Sequence, residues 1–135
     1  MSAKHKQDSN TDEPALLAVN VSKGKVVLAH HVAWAGTSAE RRHGLLGRNE
    51  LHPDEGMYIA PCQWIHTFGM KFPIDVLFLA KNGRVMAIHH SLRPFRLSRP
   101  VLRAQGALEL AAGRAKATNT EKGDFVEFRE EGMRA

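Results

Sequence analysis

Apolar residues recur with a period of two near the start of the chain. Leu17, Val19 and Val21 alternate before Lys23-Gly24, and Val26, Leu28, Val32 and Trp34 alternate after it. This is the spacing of strands with one buried face, so the two runs predict a hairpin. In its second strand His30 falls on the apolar parity and His31 on the other, so His30 is expected to be buried with a hydrogen-bond partner. The clearest signal lies in mid-chain, where Ile74–Ala80 and Val85–His90 flank Lys81-Asn82-Gly83-Arg84. Asn-Gly between apolar runs favours a two-residue type I′ turn, in which both central residues take positive φ. That register places Asp75 opposite His90, Val76 opposite His89, Leu77 opposite Ile88, Phe78 opposite Ala87 and Leu79 opposite Met86.

Thr37-Ser38-Ala39-Glu40 has the capping-box spacing and predicts a short helix from near Ala39. Gly44 weakens it and Gly47 is placed to end it. Arg41 and Arg42 ride on this helix. In Leu92-Arg93-Pro94-Phe95-Arg96-Leu97-Ser98-Arg99-Pro100 the two prolines exclude a regular helix and predict an ordered arm. Three residues per turn of polyproline II would align Arg93, Arg96 and Arg99 on one edge, suited to phosphates or carboxylates. The alternative is internal pairing with Glu50, Asp54, Glu55 or Glu109. Leu108-Glu109-Leu110-Ala111 reads equally as a short strand or a helical turn, and Gly123–Phe128 as a closing strand.

Length and charge narrow the class. The chain has 135 residues, the size of one domain. Its 43% hydrophobic and 24% charged content argues against both disorder and a membrane protein. Residues 1–14 hold no Leu, Ile, Val or Phe, so they lack a signal-peptide core. A disordered polar tail over 1–14, a globular domain over 15–135 and a cytoplasmic location are expected. The single Cys62 excludes an internal disulfide, in keeping with a reducing compartment. Net charge is +5 and unevenly placed: between Val76 and Leu108 lie Lys81, Arg84, Arg93, Arg96, Arg99 and Arg103 and no carboxylate. Such a field favours acidic partners or nucleic acid.

Candidate chemistry centres on Pro61–Met70, which holds Cys62 and His66. Cysteine catalysis needs a thiolate beside a base, and a metal site needs three converging ligands; the spacing supplies two groups. Asp75, in a strongly apolar strand, needs a designated partner. His90 is the register-derived choice, with Arg41, Arg42 and His66 as alternatives. Candidate catalytic residues are thus His66, Asp75 and Cys62. Candidate ligand-binding residues are Arg41, His66, Asp75, His90, Arg93, Arg96 and Arg99. No phosphate-binding loop, dinucleotide fingerprint, zinc-protease motif or nucleophile elbow occurs, so no cofactor or metal is expected.

Several ordered motifs resemble one known family, the bacterial and archaeal proteins gathered as domain of unknown function 192. They are Glu40-Arg41-Arg42-His43-Gly44-Leu45-Leu46-Gly47-Arg48, Glu55-Gly56-Met57, Ile65–Leu79, Leu92-Arg93-Pro94-Phe95-Arg96, Leu108–Gly113 and Gly123-Asp124. The resemblance marks Arg41, Gly44, Leu45, Gly56, Met57, His66, Met70, Pro73, Asp75, Glu109, Gly113 and Gly123 as a signature without assigning a reaction. It implies an α+β fold, predominantly antiparallel β: a compact single-domain twisted sheet or partial barrel with one or two short helices. The expected function is a non-enzymatic binding module for an anionic ligand or a protein, with Arg41, His66 and Asp75 around a cleft. One alternative is a small hydrolase-like or metal-dependent enzyme using His66 and Asp75. The other is nucleic-acid binding through the basic segment, although few exposed aromatics and no recognition helix are evident. No membrane partner is expected, and the oligomeric state is open.

Overall fold

The computed structural model describes residues 16–36 and 45–130. The expected tail over 1–14 and the capping-box helix with Arg41 and Arg42 lie outside the described residues. Eight strands are described: β1 (Leu16–Asn20), β2 (Val26–Ala29), β3 (His31–Ala35), β4 (Glu55–Ile59), β5 (Ile74–Leu79), β6 (Val85–Leu92), β7 (Gly106–Ala111) and β8 (Val126–Glu130). A 3-10 turn spans Val21–Lys23, and one short helix, α1, spans Arg114–Ala117. The strands form a three-stranded antiparallel sheet, β2-β1-β8, and a five-stranded mixed sheet, β3-β4-β7-β5-β6, in which β3 and β4 run parallel. Neither closes into a barrel, and the balance is mostly β, so the α+β, partial-barrel expectation narrows to two open sheets.

The first hairpin forms as β1 and β2, turning through Gly24 in the left-handed region. Its second strand does not run on to Trp34. At His30 the chain leaves the three-stranded sheet and enters the five-stranded one as β3. The amides of His30 and His31 both donate to the Asp54 carbonyl there, at 2.9 and 3.0 Å. This switch resets the parity, and His30 is exposed, with Nδ1 3.3 Å from Asp54 Oδ1.

In the second hairpin Val76, Leu77 and Phe78 pair with His89, Ile88 and Ala87 as predicted, and the register slips at both ends. At the tip only Gly83 takes positive φ (91°); its amide donates to Ala80 O at 2.9 Å, and Asn82 Oδ1 accepts from the Arg84 amide. The loop is therefore three residues with a glycine bulge, and Leu79 pairs with Val85 instead of Met86. A Cβ at Gly83 would strike the Val126 carbonyl, because β8 crosses directly over the tip. The Val126 amide donates to Gly83 O at 2.9 Å, so the tip ties the two sheets together. At the other end Ser91 takes φ 50°, a bulge that shifts Ile74 onto Leu92.

Every residue of β5 and β7 is buried. Leu77, Leu79, Leu108 and Leu110 face β1, β2 and β8 in one core, with Leu28, Val85 and Val126. Ile74, Val76, Phe78, Ala107 and Ala111 face the opposite way, onto Leu45, Leu51, Ile65, Met70 and Ala104. Each fully buried large apolar side chain contributes roughly 1.5–3 kcal/mol. The central sheet is thus covered on one face by strands and on the other by loops.

Candidate functional site

The loop-covered face holds a cavity of about 610 Å³, within the range typical of small-ligand sites. Its buried lining is Leu45, Ile59, Ile65, Met70, Ala104 and Glu109, and its exposed mouth includes Leu46, Gln63, Trp64, His66 and Gln105. Cys62 also lines it, with Sγ donating to Trp64 O at 3.2 Å. Ile59 comes from β4 and Glu109 from the middle of β7. Ile65 and His66 come from an extended segment that pairs with the arm: the Thr67 amide donates to Arg96 O, the Ser98 amide to Ile65 O and the Val101 amide to Gln63 O.

Glu109 sits on the cavity floor because β7 lies between β4 and β5, paired there with Met57 and Val76. It is 5% exposed, and no described residue donates a hydrogen bond to it. No fully enclosed polar atom among the described residues lacks a partner, so the Glu109 carboxylate opens into the cavity. Burial alone pushes its carboxyl up to about 7.

The other sequence-derived candidates scatter. Asp75 pairs with Leu110 and so faces the strand-covered core, on the opposite side of the sheet from the cavity. Its oxygens accept from the Ser91 amide and the Ala115 amide, both at 2.8 Å. The bulge at Ser91 removes the predicted Asp75–His90 pairing and turns a backbone amide onto the carboxylate instead. His66 and Asp75 are not brought together, which removes the geometry that an acid–base pair would need. His90 is exposed, and Arg41 lies outside the described residues. His89, against the Phe78 ring at 5.8 Å, titrates below the usual histidine range because of burial, then of the charges of Arg99 and His90.

Arg93, Arg96 and Arg99 are exposed, and none of them, nor Arg103, has a carboxylate partner among the described residues. Glu55 is instead taken by Arg48 at 2.8 Å and Asp54 by His30. The arm is no polyproline helix, since Phe95 takes φ 63° and Leu97 then bridges His66 across a two-stranded antiparallel ribbon. Thr67 pins the bend, its hydroxyl donating to Arg93 O at 2.6 Å and accepting from the Arg96 amide at 2.8 Å. Along the ribbon Trp64, Phe68 and Phe95 are 51, 49 and 66% exposed, an aromatic set that spacing alone did not reveal. His66 and Phe68 stack on each other at 5.2 Å. No group of three metal-binding side chains converges among the described residues, and no described helix is long and apolar enough to cross a membrane.

The described residues thus form two open β-sheets with a loop-roofed cavity, on whose floor Glu109 is the one carboxylate among the described lining residues. The chain belongs to the DUF192 family (Uncharacterized ACR, COG1430), whose model matches residues 18–128. It is similar in structure to a protein of unknown function from Novosphingobium aromaticivorans DSM 12444, with 28% identity, a TM-score of 0.74 and 83% of each chain covered. It is also similar to a Sinorhizobium meliloti 1021 protein described as a candidate transcription regulator, with 25% identity and a TM-score of 0.68 over 86% of this chain and 95% of that one. No curated protein matches the chain. Glu109 was not among the candidate site residues read from the sequence, because periodicity left its segment undecided between strand and helical turn.

Proposed function

We propose that the protein is a small-molecule-binding module whose site is the loop-roofed cavity over β4 and β7. The observation that carries this reading is the Glu109 carboxylate, buried on the cavity floor with no donor among the described residues. Leaving a buried charged group without a partner is costly, and such groups persist where a ligand or a proton supplies the missing interaction. Thermal shift and calorimetry against a fragment library test it. Fragments are expected to raise the melting temperature of the native chain and to lose binding in Ala104→Phe, which fills the cavity. Undiminished binding by that variant places the ligand elsewhere and overturns the reading.

A second reading follows from the arginines of the ribbon, which have no carboxylate partner among the described residues, while Trp64, Phe68 and Phe95 stand exposed beside them. This surface suits a polyanion, single-stranded nucleic acid included, and the Sinorhizobium relative's description is in keeping with it. Fluorescence anisotropy with a labelled oligonucleotide decides it: affinity should fall steeply with salt and drop when Arg93, Arg96 and Arg99 are replaced by Gln. Salt-insensitive binding, or none, removes it.

A further inference from the structure

We infer that the cavity takes an organic cation, an ammonium or amidinium group carried on a compact apolar body, with the cationic head against the Glu109 carboxylate. This rests on the cavity being a ligand site and adds what the ligand must be. Among the described residues Glu109 is the one carboxylate in the lining, and no Lys or Arg lines the cavity. An anionic head would meet a like charge in a poorly solvated place, and a purely apolar ligand would seal the carboxylate away from water with nothing donated to it. A cation supplies both the opposite charge and the donors. The walls of Leu45, Ile65 and Met70 fit the apolar body.

The surroundings of Glu109 leave its charge state to solvent and ligand. Its neighbours on β4 and β5, Met57 and Val76, carry no charge. The other titratable groups that line the cavity among the described residues are Cys62 and His66. Burial holds the carboxyl up to about 7, so near neutrality it is readily protonated and the buried charge is avoided. A cation entering the site favours the ionised form and displaces that proton. Proton and cation are thus alternative ways to balance the buried carboxylate.

Calorimetry with benzamidine, benzamide and benzoate tests the inference, since the three share a ring and differ in head charge. At pH 8 benzamidine should bind tightest and benzoate weakest. Benzamidine affinity should fall roughly tenfold per pH unit below about 7, as protons occupy Glu109, while benzamide binding stays flat. Glu109→Gln should abolish both the preference and the pH dependence and leave benzamide binding in place. The native pH profile is independent of how the variants fold. Benzamide or benzoate binding as tightly as benzamidine overturns the cation inference and leaves the cavity reading standing. If none of the three binds, the inference also fails; if in addition no library fragment binds, the cavity reading falls with it.

Discussion

Two carboxylates on adjacent strands of the central sheet have met opposite fates. Asp75 on β5 is fully buried and points into the strand-covered core, where both oxygens accept backbone amides at 2.8 Å. Glu109 on β7 is nearly as buried but points to the loop-covered face, with no described donor and a carboxyl raised to about 7. The difference lies in what covers each face. Strands and α1 bring backbone amides within reach of Asp75, since the bulge at Ser91 and the start of α1 both leave N–H groups outside the regular ladder. The loops over Glu109 leave a cavity. Burial alone thus distinguishes neither role; the partners do.

Breaking the satisfied side should cost most. Asp75→Ala leaves two buried amides without acceptors and is expected to lower stability by about 3–5 kcal/mol in urea denaturation. A loss below about 1 kcal/mol would mean that the bulge and helix start hold themselves.

The unsatisfied side should respond with the opposite sign. A carboxyl raised from 4.5 in the unfolded chain to about 7 in the folded one destabilises the protein as pH rises through that window, and the penalty is complete above it. Glu109→Gln should therefore stabilise by up to about 3 kcal/mol at pH 8 and by little at pH 4.5. Equal effects at the two pH values would place the Glu109 titration outside this window.

Asp124 falls between the two. Burial pushes its carboxyl up, but bonds from Asn20 and Lys23 and the Glu121 amide outweigh this and hold it below the usual range. Its contribution is present above the unfolded value and lost as pH falls through the lowered folded one. Asp124→Asn should cost about 1–2 kcal/mol at pH 7 and progressively less in acid, which a pH series of melting curves would show. The smallest effect is expected from replacing Arg93, Arg96 and Arg99 together by Gln. With no carboxylate partners among the described residues to lose, stability should stay within about 0.5 kcal/mol; a larger drop would reveal that the ribbon relies on their stems.

Much of the fold was legible in the chain. Alternation located β1, β2 and β8, because side chains on a half-buried strand must obey a period of two, and Asn82-Gly83 between two apolar runs located β5, β6 and the tip that joins them. Asp75 was legible as a carboxylate needing a partner, though not which partner. Alternation is blind where a strand is buried on both faces, so β7 and its Glu109 stayed ambiguous. It also fails where a strand changes sheets, as at His30.

Local chemistry in the chain therefore marked the mostly β character, the two hairpins in outline, the basic arm and the need to satisfy Asp75, since each follows from neighbours a few residues apart; the ordered motifs along the chain carried the family. The assembled molecule alone settled that Asp75 is matched by amides from β6 and α1, that His66 stands on the other side of the sheet from it, and that Glu109 floors a cavity. Those outcomes depend on which elements, distant in sequence, cover each face of the central sheet. One-residue bulges then decide where single groups point, and no local spacing encodes that.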